Sequence, residues 1–337
     1  MRTDTRESSI ELLRIVAMFM VLLLHANYAS LGVVSKADVV AQPFSSFMRV
    51  FFQQATLVCV NVFVLISGWF GIRPSMKGAF NILFQVVFYS LLAALVSLAL
   101  GYGFNLRELL KSLFFGASYW FVPAYLILYA FSPVLNSFVD TVTKPVFLKT
   151  LVAFFALQFI YGYVCDAGSY FEGYSAISFI GLYLLARYFR MYPGALAKLS
   201  SAGSLALYAA ATLLSTLVYY LGERWFGFGF HCETYNNPFI ILSSLFFFWF
   251  FAGRTFHNGF VNRCASSVFS IYLLCVNPMT FPIFLHSMRS LYEKCRYGFE
   301  YVVAAVLISL ALVAACIMID KVRMKLWKPV SDRLWEK

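Results

Sequence analysis

The sequence predicts an all-α protein: a polytopic membrane bundle of about ten transmembrane helices, with both termini in the cytoplasm. Three observations carry this. Of 337 residues, 61% are hydrophobic, 19% aromatic and only 12% charged, with a mean hydropathy of +0.78; an ordinary soluble domain is about 25% charged. Apolar runs recur at lengths that cross hydrocarbon as helices. Basic residues are spread unevenly between alternate connections, which sets orientation.

Ten apolar segments follow in order, at residues 10–28, 47–72, 79–101, 119–139, 148–164, 173–188, 204–221, 238–251, 266–285 and 298–319. They follow closely, so residues 1–337 form one domain without a linker. The first segment lacks a small-residue cleavage site after its apolar run and should stay attached. It carries Glu11, Arg14 and His25. Ionisable groups in hydrocarbon are costly and usually face protein or a wet cavity. Arg14 and His25 are about 16 Å apart along a helix and return to nearly the same face. Glu11 shares that face, three residues before Arg14. Snorkelling to the interface would also accommodate Glu11 and Arg14.

The second segment contains VNVFVLISGWF, with Asn61 and Ser67 too far apart to share a helix face. Gly68 and Gly71 allow another chain to approach closely. Arg73 and Lys77 follow at i,i+4 and suit a phosphate group, or anchor the cytoplasmic end. After the third segment, residues 105–115 place Leu106, Leu109, Leu110 and Leu113 at helical spacing. They predict a short amphipathic surface helix, with an ordinary turn as the alternative. The fourth segment gathers Trp120, Tyr125 and Tyr129, and Pro123 and Pro133 interrupt it. Before the eighth, HCETYNNPF concentrates His231, Glu233, Tyr235, Asn236 and Asn237. Hydrogen-bonding groups beside an aromatic suit a sugar, as they would a solvated loop. Pro278 and Pro282 break the ninth, as happens where a helix lines a cavity.

Seventeen basic residues fall on the N-terminal side, including Arg2, Arg6, Arg73, Lys77, Arg323 and Lys337; seven fall opposite, including Lys36, Arg289, Lys294 and Arg296. The split puts both termini in the cytoplasm. The same rule accounts for the net charge of +11. With no soluble domain to hold a groove, nucleic acid is excluded as a partner. Seven cysteines include no C-x-x-C pair, and no Cys or His has metal-ligand spacing, so no metal is expected. Cys165, Cys232 and Cys295 lie in loops on one side, where two of them would pair in an oxidising compartment.

SIELLRIVAMFMVLLLHA resembles the first helix of the acyltransferase-3 family of bacterial membrane O-acyltransferases. That helix has an acidic residue, then Arg, then His eleven residues on, matched here by Glu11, Arg14 and His25. VNVFVLISGWF resembles the family's second helix at Ser67 and Gly68, with Asn61 where an acidic or small residue is common. SYWFVPAYLILYAFSPVL, YNNPFIILSSLFFF and FSIYLLCV resemble later segments, so the likeness covers nearly the whole chain. The ninth segment departs from the pattern: Cys275 stands where the family often has a histidine, and Asn277 follows.

The resemblance implies a multi-pass protein of the bacterial cytoplasmic membrane. It would move an acyl group, usually acetyl from cytoplasmic acetyl-CoA, to a hydroxyl of an extracytoplasmic or lipid-linked carbohydrate. Acetyl-CoA, the carbohydrate and the lipid bilayer are then its partners, and a homo-oligomer is compatible with it. Acyl transfer to a hydroxyl needs a base and a donor for the developing oxyanion. His25 is the best base in the bundle. Arg14, with Glu11, is placed with the catalytic group and with the donor. Arg73, Lys77, Ser67 and Asn61 are placed with the donor, and Trp120, Tyr125, Asn236 and Asn237 with the acceptor. A proton-coupled transporter or flippase is the rival reading, since intramembrane Arg and His with broken helices suit that too.

Overall fold

In hydrocarbon every backbone amide must be satisfied within its own segment, so apolar runs of this length fold as helices. The computed structural model describes residues 7–114, 119–295 and 298–335. Arg2, Arg6, Phe115, Arg296 and Lys337, which entered the sequence reading, lie outside the described residues. Helix α1 (Ser8–Leu24) continues into a π-helical turn, His25–Ala29. Short α2 (Lys36–Ala41) starts at a reciprocal cap between Ser35 and Asp38. There follow α3 (Pro43–Phe70), α4 (Met76–Ala99), α5 (Leu106–Leu113), α6 (Phe121–Thr141) and α7 (Lys144–Leu157), which runs into a second π-helical turn, Gln158–Val164. Then come α8 (Ala176–Met191), α9 (Ser201–Phe226), α10 (Pro238–Ala252), α11 (Gly259–Ala265), α12 (Val268–Cys275), α13 (Phe281–Lys294) and α14 (Phe299–Trp335). No strand occurs among the described residues.

Among the described residues seven helices are long and apolar enough to cross a membrane, against the ten segments expected. The sixth and eighth segments become α8, of 16 residues, and α10, of 15. The ninth is split between α12 and α13. A full crossing takes about 20 residues.

The chain is organised around α1 and α3. The most apolar windows of these two helices are 67% and 72% buried, against 22% for α7 and α14, whose flanks face outward. Helix α3 packs on α1, α8, α9 and α10. Gly68 is required there: a Cβ would stand 2.5 Å from the Tyr183 carbonyl oxygen and 2.8 Å from the Ala186 Cβ.

The two ends of α1 are pinned differently. At its start, Ser9 Oγ donates to the Arg254 carbonyl at 2.7 Å. At its finish, Asn27 Nδ2 donates to the Arg49 carbonyl at 2.8 Å and Arg289 Nε to the Ser30 carbonyl at 3.0 Å. So α1 starts beside the end of α10 and finishes beside the start of α3 and the end of α13.

The prolines act unequally. Helix α6 is continuous, contrary to the expected interruption. Pro123 sits in its first turn, where no intrahelical N–H bond is lost. Pro133 frees the Tyr129 carbonyl, and Ser132 Oγ takes it at 2.7 Å. The break expected near Pro278 is present: Asn277 caps it, accepting from Met279 N at 3.0 Å and donating to Tyr119 Oη at 2.7 Å. The amphipathic surface helix is α5, with Leu109 buried but Leu106 and Leu110 exposed. Arg323, assigned from sequence to a basic cytoplasmic tail, is instead buried within α14. Its Nε meets Asp320 at 2.6 Å, and Tyr89 Oη donates to the same carboxylate at 2.7 Å, tying α14 to α4.

Candidate active site

A cavity of about 570 Å³ follows the polar stripe of α1. Arg14, Met18, Val21, His25 and Tyr28 line it at helical spacing, so it extends about 16 Å from Arg14 to His25. Helices α3, α4, α6 and α12 supply most of the remaining walls, with Tyr174, Tyr235 and Phe281 added from other segments.

At the end near the start of α1, the Arg14 guanidinium lines the cavity. Glu11 lies behind it, 2.5 Å from Arg14 Nη1, with its side chain 8% exposed. Glu11 therefore fixes Arg14 and does not itself face the space. Ser67 Oγ lies 3.2 Å from Tyr125 Oη on the opposite wall. The middle is apolar, with Met18, Val21, Leu57 and Phe63.

At the other end His25 opens the π-helical turn, and Ser30 Oγ donates to its carbonyl at 2.8 Å. Packing orients the imidazole, which meets the Phe281 ring edge-on at 5.0 Å. Its Nδ1 is buried with no hydrogen-bond partner among the described residues. An unsatisfied buried polar atom costs about 1–3 kcal/mol, which points to a chemical role at this position. Beside it stands an aromatic trio: Trp120 lies 4.4 Å from Tyr174 and 5.6 Å from Tyr235, and the two tyrosine rings are 4.8 Å apart.

The structure thus brings Arg14, His25, Ser67, Trp120 and Tyr125 to one space, with Glu11 behind. Other residues are placed elsewhere. Arg73, on the α3–α4 connection, and Lys77, in the first turn of α4, are exposed and off the cavity wall. Asn61, assigned from sequence to the donor, is buried and donates to the Tyr235 carbonyl at 3.0 Å. Asn236 and Asn237, assigned to the acceptor, are also spent on the fold. Asn236 Nδ2 donates to the Gly162 carbonyl at 2.8 Å, and Asn237 Nδ2 to the Cys232 carbonyl at 3.0 Å. All three amides hold the loop that aims Tyr235 into the cavity. Sequence reasoning assigned no role to Tyr28, Tyr174 or Tyr272 on the cavity wall. Tyr28 was accessible, one turn from His25 on the same stripe. Tyr174 lies between helices, where no periodicity marks it. Cys275 faces away, its Sγ 3.9 Å from that of Cys316.

Outside the spans, burial pushes the Glu233 carboxyl above the usual carboxylate range, with Glu172 and Glu223 adding to it. Burial also pushes the Cys232 thiol up to about 11. The expected pairing among Cys165, Cys232 and Cys295 is not formed: all three are free thiols, and Cys232 is sealed in an apolar cluster with Val39 and Tyr219. No group of three or more side chains suited to a metal ion occurs among the described residues.

A family model described as an acyltransferase domain matches residues 7–321. No curated protein and no solved structure matches the chain significantly.

Proposed function

Because the chain belongs to the acyltransferase-3 family, we propose that this multi-pass membrane acyltransferase carries acetyl from cytoplasmic acetyl-CoA to a hydroxyl of an extracytoplasmic or lipid-linked carbohydrate in the bacterial inner membrane. In this reading the chain crosses the membrane ten times. The short helices α8 and α10 and the broken α12–α13 pair complete the count, and both termini are cytoplasmic, as the basic residues favour.

One observation carries the reading: a single cavity has a held guanidinium at one end and an imidazole beside aromatic rings at the other. Donor and acceptor enter from opposite ends. Arg14, braced by Glu11, meets the donor's phosphates or pantetheine carbonyls, and a fixed cation suits either. The acetyl-bearing arm lies along the apolar middle. A sugar stacks on Trp120, Tyr174 and Tyr235, which places its hydroxyl at His25. The imidazole takes the hydroxyl proton as the oxygen attacks the thioester carbonyl. Tyr28, one turn on, supplies a hydroxyl for the developing oxyanion. The carbon–sulfur bond then breaks, and the departing thiolate recovers the proton from His25.

Purified protein reconstituted with radiolabelled acetyl-CoA and lipid-linked glycans tests this. Label in the glycan is expected. Binding of acetyl-CoA or glycan without turnover would favour a carrier and overturn the reading.

A further inference from the structure

A second cavity, of about 360 Å³, lies at the His25 end of the bundle, between α2, the start of α3 and the end of α13. Its size falls within the range of small-molecule sites, about 300–1,000 Å³. We propose that it binds an uncharged sugar residue, gripping the glycan acceptor away from the hydroxyl that reacts. The proposal rests on the carbohydrate acyltransferase reading above.

The chemistry of the walls selects the ligand. Arg49 and Arg289 offer donors, Asp38 and Glu293 offer acceptors, and Gln42 and Ser45 can do both. No ion pair joins these acids to these arginines among the described residues. Burial alone would raise the Asp38 carboxyl, but Ser35 and the Arg49 charge bring it below its ordinary value, so it stays an acceptor. The wall charges cancel. A phosphate or uronate would meet two carboxylates as well as two guanidiniums, whereas hydroxyl groups use both kinds of partner. The Tyr292 ring, with the Arg49 guanidinium 5.7 Å from its centre, adds an apolar surface.

The cavity is also built onto the segment that carries His25. Arg49 Nη2 donates to the Gly32 carbonyl at 3.0 Å, and Arg289 Nε to the Ser30 carbonyl at 3.0 Å. Asn27 Nδ2 reaches back to the Arg49 carbonyl at 2.8 Å. Arg49 Nε is buried with no hydrogen-bond partner among the described residues. The arginines that face the ligand therefore set the residues just beyond the catalytic imidazole. A glycan held here is gripped by the same side chains that pin the segment following His25.

The test uses the full chain in nanodiscs. Saturation-transfer NMR is run with the methyl glycosides of glucose and rhamnose and with N-acetylglucosamine, against glucuronic acid and glucose 1-phosphate. At least one neutral sugar should bind. Ser45→Trp, which fills the cavity from a side chain with no hydrogen bond to another described residue, should weaken that binding at least tenfold. It should raise the acceptor KM by a similar factor while leaving the acetyl-CoA KM unchanged. Glu293→Gln, an exposed change that leaves the fold alone, should weaken binding several-fold. Binding of the anionic sugars only, of no sugar, or of neutral sugars equally well by parent and both variants would overturn the site. Parental acceptor KM in Ser45→Trp would remove the site and leave the acyltransferase standing. Sugar binding lost in Ser45→Trp, with no acyl transfer by the parent, would keep the site and remove the acyltransferase.

Discussion

Replacing His25 by Gln separates chemistry from packing. The imidazole makes no side-chain hydrogen bond to another described residue, and its Nδ1 is orphaned. The packing at stake is one edge-on contact with Phe281, and such pairs are worth about 0.5–1.5 kcal/mol. Stability should therefore fall by no more than about that amount. The chemical loss should be far larger. A positioned general base contributes about 10²–10⁴ in rate, or about 2.7–5.4 kcal/mol of barrier. Glutamine fills a similar volume and cannot take a proton near neutral pH. In the reconstituted labelling assay, His25→Gln should transfer acetyl at least a hundredfold more slowly while binding acetyl-CoA at parental affinity. A variant that turns over within threefold of the parent would refute the base assignment. So would a loss of activity matched by an equal loss of folded protein.

Two further outcomes follow from packing and burial. Gly68→Ala forces a methyl against the Tyr183 carbonyl and Ala186, so α3 and α8 must part. Unfolding in detergent should show a loss of about 1–3 kcal/mol, and an unchanged stability would contradict the close approach. Glu233 holds its proton to higher pH when folded than when unfolded, because burial penalises the carboxylate. The folded state thus binds more protons across that window, and stability falls as pH rises through it. Glu233→Gln should match the parent in acid and become the more stable protein as pH rises towards neutral. A difference that is constant, or largest in acid, would contradict the buried carboxyl.

The stripe of α1 was legible because helical spacing alone puts Glu11, Arg14 and His25 on one face. The π-helical turn at His25 was not, since it depends on contacts made by Asn27 and Ser30 with distant segments. Length and hydropathy found α8 and α10 as apolar segments but not how short they are, at 16 and 15 residues, because helices packed against α3 are apolar for the sake of the core as well. Trp120 and Tyr125 were found by their place in an apolar run. That Asn61, Asn236 and Asn237 bond backbone carbonyls was not legible for a simple reason: an amide near an aromatic looks the same whether it meets a ligand or a carbonyl. Pro133 was read as a break because the repair by Ser132 Oγ cannot be inferred from composition. The aromatic trio needed three segments brought together in space, and only Trp120 and Tyr235 stood in stretches that drew attention.

The apolar middle of the main cavity has an electrical consequence. A space that runs about 16 Å along a membrane helix, with polar groups at both ends, would leak ions if water filled it. Met18, Val21, Leu57 and Phe63 line that stretch, and narrow passages walled by such side chains shed their water and block ions. In the function proposed above, a flexible thioester arm would still thread the gap, since it needs no hydration shell. On the same reading, an apolar stretch of this kind would keep water from competing with the acceptor for the acyl group. On the function proposed above, the protein would pass a chemical group through the bilayer while the proton gradient stays intact.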